Sequence, residues 1–154
     1  MGEVELRFRS VERLVKAAET RGLDEETASY YCKLGSVLIC GAVERSVESI
    51  INDRIARRAP PQVATFLKSY FRRGTNYTCD EITKLLAKLD SRWSSEFDLY
   101  LKSNSNVKES ISSCYAIRNS VAHGGTQSLG SALLRQYFDD SFTLVVQVEY
   151  ILRS

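Results

Sequence analysis

The sequence of 154 residues contains a single histidine, His123, which closes the stretch Arg118-Asn119-Ser120-Val121-Ala122-His123. Imidazole is the side chain whose ordinary pKa lies closest to neutrality, so His123 is the first candidate for moving a proton. Arg118 adds a permanently charged, planar fork of donors whose shape matches a phosphate. A lone histidine is more often structural or merely exposed than catalytic. The decision falls to what surrounds it.

The stretch reads as the end of a helix from Val107 to about Ala122, closed by Gly124-Gly125, which suit a left-handed C-terminal cap. At ~100° per residue, the apolar arc of this helix holds Val107, Ile111, Cys114, Ile117, Val121 and Ala122. Arg118 projects through the middle of that arc, while Asn119 and His123, four residues apart, share its edge. A guanidinium aimed at a packed face needs a partner, because an unpaired buried charge is costly. The longest helix carries Glu44 and Glu48 on the arc of its apolar residues, and Glu44 is the carboxylate expected to meet Arg118. Such a pair either fixes helix register alone or holds the arginine rigid toward a phosphate.

The elements that must position these residues all carry helical spacing. A first helix runs from Glu3 to Arg21 through Val4, Phe8, Val11, Leu14, Val15 and Ala18, and ends at Gly22. Asp24 reads as the N-cap of the longest helix, from about Glu25 to Arg57, with a stripe of Tyr31, Leu34, Val37, Leu38, Gly41, Val47, Ile51 and Ile55. Pro60-Pro61 stops it and opens a short helix through Tyr70. Gly74 to Tyr77 reads as a loop, and Thr78 with Glu81 as a capping box ahead of Ile82 to Leu89. A further short helix holds Trp93, Phe97 and Tyr100. Asn106 with Glu109 repeats the capping pattern, and a last helix covers roughly Leu129 to Leu152. No stretch alternates like a strand, and no internal repeat or linker appears. Short connections between such helices predict an all-α antiparallel bundle with additional short helices, one domain over residues 1–154.

An apolar fraction of 44% and a charged fraction of 26% are those of a globular chain and exclude extensive disorder. The net charge of +2 permits contact with RNA without coating the surface in basic charge. Cys32, Cys40, Cys79 and Cys114 form no C-x-x-C pair, so small buried thiols are expected rather than a metal site. The apolar run from Leu34 to Val43 is too short to span a bilayer, and the acidic start at Glu3 and Glu5 is unlike a secretory leader. A cytoplasmic location, no membrane contact and no cofactor are the expectations.

Arg118-x4-His123, with Asn119 after the arginine and Gly124 after the histidine, resembles the R-x4-6-H signature of HEPN domains. Ile39 to Arg45 resembles the Cys-Gly-x-x-Glu segment of the long helix in the RiboL-PSP-type HEPN group, and Leu134 to Leu152 its closing helix. The similarity covers roughly Leu34 to Leu152. It implies an all-α bundle that dimerises across the R-x4-H motifs and cuts RNA without a metal, the ribose 2′-hydroxyl acting as nucleophile. Arg118, His123 and Asn119 are then the catalytic residues and Glu44 supports them. A toxin or defence role, with an antitoxin or other regulatory partner, also follows from the resemblance alone. Some related toxins carry a tyrosine two residues after the histidine, which a partner nucleotidyltransferase modifies. Here that position is Gly125, and the resemblance does not extend to that regulation.

In-line transesterification needs a base, an acid and a cation. One chain has one histidine, whereas a two-fold dimer brings two. Arg54, Arg57, Arg58, Arg72 and Arg73 are candidates to guide the RNA backbone, although such arginines more often form a solvated helix face. The competing function is a non-catalytic HEPN module that binds a nucleotide, RNA or a protein.

Overall fold

The computed structural model describes residues 2–72 and 74–154, so Arg73 lies outside the described residues. The described residues form seven helices: α1 (Glu3–Ala18), α2 (Glu25–Ala56), α3 (Pro61–Phe71), α4 (Cys79–Leu89), α5 (Ser91–Ser103), α6 (Ser105–Ala122) and α7 (Ser131–Arg153). There is no strand among the described residues.

Most boundaries follow from local chemistry. Gly22, at φ 85°, takes the left-handed conformation that turns the chain between α1 and α2. The Asp24 carboxylate accepts the Thr27 N–H at 2.8 Å and caps α2. Thr78 caps α4 by accepting the Glu81 N–H at 3.4 Å, but the Glu81 carboxylate turns to Lys84, so the reciprocal half of the expected box does not form. Asn106 is not the cap of α6, which begins earlier, at Ser105. Asn104 alone separates α5 from α6, and its amide donates to Tyr100 O at 2.9 Å, closing α5 rather than capping α6.

α1, α2, α6 and α7 pack around the main core. The C-terminal half of α1 lies beside the start of α7, where the Glu19 carboxylate accepts from Arg135 Nε and Nη2, both at 2.8 Å. Phe8 of α1 meets Phe138 and Phe142 edge-on at 5.7 and 5.3 Å. Each fully buried side chain of this size contributes roughly 1.5–3 kcal/mol of transfer free energy.

α2 corrects the expected stripe. Val47 and Ile51 are buried, but Leu34 and Leu38 are exposed, and the buried face is Cys32, Gly35, Ser36, Ile39, Cys40, Ala42, Val43, Ser46, Val47, Ile50 and Ile51. The reason is close packing through small residues. A Cβ on Gly35 would stand 2.8 Å from a Leu134 methyl, so α7 approaches α2 where a side chain is missing. The larger Leu34 and Leu38 are turned outward, in line with exposed Tyr30 at helical spacing.

Candidate functional site

α6 docks on α2 through buried sulfur. Cys114 Sγ lies 3.7 Å from Cys40 Sγ and 3.8 Å from Ser36 O. All four cysteines are free and buried, as expected of small core thiols. The close Cys114 thiol and burial both push the Cys40 thiol up, and burial pushes Cys79 up to about 12, so neither is a ready thiolate at neutral pH. Among the described residues, no group of three or more His, Cys, Asp or Glu side chains gathers to hold a metal ion.

This docking sets the face on which Arg118 emerges. Arg118 and Asn119 are half-buried, whereas Ala122, expected on the apolar arc, is exposed. The buried side of α6 includes Ser110 and Tyr115 instead. Arg118 does not pair with Glu44. Its Nη1 donates to Asn76 Oδ1 at 2.8 Å and to Asn119 Oδ1 at 3.1 Å, both neutral amide oxygens. Glu44 is half-buried with Oε1 unpartnered among the described residues, and the nearby Tyr115 hydroxyl completes no hydrogen bond with it. Burial pushes the Glu44 carboxyl up, against the opposing pull of the Arg118 charge. The two charges therefore act on each other through space, and the grip on the arginine belongs to Asn76.

Asn76 is absent from the sequence reading, which placed Gly74 to Tyr77 only in a loop. Its neighbour Tyr77 is buried, anchoring the segment in the core beside α6. A polar residue flanked by a buried aromatic is the one local signal that the loop packs inward.

His123 stands at the C-terminal boundary of α6, exposed, with its N–H directed to Asn119 O and Ser120 O at 3.2 Å each. Gly124 has φ 74°, and Gly125 N–H returns to Ser120 O at 2.7 Å, which completes the reversal. A Cβ on Gly125 would lie 2.1 Å from Ser120 Oγ and 2.9 Å from Ser120 O. No side chain, a tyrosine least of all, fits at 125 without moving this turn.

The arginines expected to guide RNA do not form one patch. Arg54, Arg57 and Arg58 line a cavity of about 580 Å³ between the start of α1 and the ends of α2 and α7, together with Asp53, Glu3, Glu5 and Glu149. Arg72 lines a separate groove.

The family model described as RiboL-PSP-HEPN matches residues 3–154. No curated protein and no solved structure matches the chain. No described helix is long and apolar enough to cross a membrane.

Proposed function

The chain belongs to the RiboL-PSP-HEPN family, and on that premise we propose that it is a metal-independent endoribonuclease whose active site is shared between two copies. The observation that carries this reading is the environment of Arg118. Two amide oxygens hold its guanidinium, and no described carboxylate forms an ion pair with it. Its positive charge is thus fixed in place yet left for a phosphate.

In the proposed reaction the ribose 2′-oxygen attacks the adjacent phosphorus and the bond to the 5′-oxygen breaks. A neutral imidazole takes the 2′-hydroxyl proton, a protonated one supplies a proton to the leaving 5′-oxygen, and Arg118 stabilises the charge on the phosphorane. The products are a 2′,3′-cyclic phosphate and a 5′-hydroxyl. Asn119, bonded to Arg118 and one turn from exposed His123, orients the phosphate with its remaining donors.

Two imidazoles require two chains, and the surface of α2 supports such a pairing. Tyr30, Leu34 and Leu38 form one exposed apolar stripe, 61%, 49% and 41% exposed, the kind of patch that marks an association site. A role as a toxin or defence effector, held in check by an antitoxin or other regulatory partner, belongs to the same proposal.

The test is cleavage of labelled single-stranded RNA by purified protein with EDTA present, beside His123→Ala. Fragments ending in 2′,3′-cyclic phosphate, lost in the variant, support the proposal. RNA that binds but stays intact favours a non-catalytic RNA-binding module, and a need for Mg²⁺ or 3′-hydroxyl ends defeats the mechanism.

A further inference from the structure

A shallow groove of about 340 Å³ lies between α1, the middle of α2 and the end of α3. Arg7, Arg45, Lys68 and Arg72 line it, with Glu48 as the one carboxylate among its lining residues. These cations come from three different helices, so their convergence is not the by-product of a single solvated helix face. The charges among the lining residues differ from those of the larger cavity. There, Arg54, Arg57, Arg58 and Arg153 face Glu3, Glu5, Asp53 and Glu149, four charges of each sign.

Two details indicate what the groove lacks. Arg7 pairs with Glu3 through Nη2, but its Nε, a donor, is buried without an acceptor among the described residues. Glu48 bonds Arg45 at 3.3 Å, yet its side chain is only 14% exposed, and burial raises its pKa against the pull of Arg45. Lys68 and Arg72 make no ion pair among the described residues. An elongated anion with several acceptor oxygens would accept from Arg7 Nε, Lys68 and Arg72.

The groove also ends beside the Arg118 site. Arg72 lines the groove and Asn76 grips Arg118, and the four residue steps from one to the other span at most ~14 Å of extended chain. Tyr77 makes the same connection from the core, its hydroxyl held up by burial and by the charges of Glu48 on the groove and Glu44 near Arg118.

We propose that this groove holds the phosphate backbone of the RNA strand a few nucleotides from the cleavage point, with Arg45, Lys68 and Arg72 as its phosphate contacts. The inference rests on the ribonuclease reading and adds the path of the substrate. It also moves RNA contact away from Arg54, Arg57 and Arg58, which share their cavity with Glu3, Glu5, Asp53 and Glu149.

The experiment measures binding of a short fluorescent single-stranded RNA of mixed sequence to full-length His123→Ala protein, which prevents turnover, across a range of salt. Adding Arg45→Ala, Lys68→Ala and Arg72→Ala together should weaken binding by about 10-fold or more and lower the slope of log K against log salt by ~2, one phosphate contact being worth ~0.7. Adding Arg54→Ala, Arg57→Ala and Arg58→Ala should leave both unchanged. Equal losses from the two sets, or a loss from the second alone, overturn the groove. If the wild type cuts RNA and the first set binds normally, the groove falls and the ribonuclease reading stands. If the parent protein binds no RNA even at low salt and the wild type cuts none, both fall.

Discussion

Asn76 Oδ1 lies 2.8 Å from Arg118 Nη1, although the two residues are 42 positions apart and the sequence pairs Arg118 more naturally with Glu44. A neutral acceptor orients the guanidinium without cancelling its charge, whereas a carboxylate at the same place would do both. Asn76→Ala should therefore release the arginine and lower kcat by up to ~100-fold, the scale of a misplaced catalytic group. Asn76→Asp keeps the acceptor and the fold but adds a negative charge beside the phosphate, so it should weaken RNA binding and raise KM. Steady-state kinetics with melting curves separate the two effects. Wild-type kcat and KM in both variants would remove Asn76 from the mechanism.

Glu44 bears on stability through pH. Burial raises its folded-state pKa above the unfolded value, so the folded protein binds the proton more tightly and the ionised carboxylate opposes folding. This stability is present below the unfolded pKa and is lost as pH rises through the folded one. Glu44→Gln removes the ionisable group at nearly constant shape. It should raise the melting temperature at about pH 8 and leave it unchanged near pH 4, where the wild-type carboxyl is protonated. A fall at pH 8 would mean that the charge of Arg118 outweighs burial after all.

How far the sequence reaches depends on how local the cause is. Asp24 and Thr78 were legible as caps because the N–H each one accepts lies three residues on. Gly22 and Gly124 were legible because a left-handed turn favours glycine wherever it occurs. Hydrophobicity ranks Leu34 and Leu38 above Gly35 and Ser36 and so points to the wrong face of α2. Close approach by Leu134 reverses that order, and it comes from a helix some 100 positions away. The partner of Arg118 escapes the sequence for the same reason. Helical arcs bring Glu44 into range, but the structure places Asn76 at the guanidinium first.

Gly125 supplies a test of the turn that presents His123. Because a Cβ there meets both Ser120 Oγ and the Ser120 carbonyl, Gly125→Ala should destabilise the protein by roughly 1–3 kcal/mol, the usual range for overpacking. Ser120→Ala removes the closer of the two contacts and should restore part of the loss. Chemical denaturation of the two single variants and the double variant measures both effects. If Gly125→Ala alone unfolds at the wild-type midpoint, the turn is loose enough to accept a side chain.

The exposed stripe on α2 predicts the effect of charge at the proposed dimer face. Leu34→Lys together with Leu38→Lys should leave the monomer folded, since both side chains already face solvent. The same pair of changes should shift the protein from dimer to monomer in light scattering and abolish RNA cleavage along with it. A double variant that stays dimeric moves the interface to another surface, and a monomer that still cleaves contradicts the shared site.

Mixing subunits asks how many imidazoles one cleavage requires. His123 is exposed at the end of α6, and among the described residues only its backbone N–H makes a bond there, so His123→Ala should preserve the fold and the capacity to dimerise. If base and acid are the two His123 side chains of a pair, a heterodimer of wild type and His123→Ala lacks one of them in every arrangement and should be nearly inactive. If a single imidazole suffices and water serves as the other group, the heterodimer keeps one working copy and about half the activity of the wild type. Purifying the heterodimer by two different affinity tags avoids averaging over both homodimers. Replacing the variant subunit with Arg118→Ala asks the same question of the cation. Because each Arg118 is held by Asn76 and Asn119 of its own chain, that heterodimer retains one fixed guanidinium beside two intact imidazoles. It should be markedly more active than the histidine heterodimer if one cation serves each phosphate. Equal activity in the two mixtures would mean that the arginines, like the histidines, act as a pair.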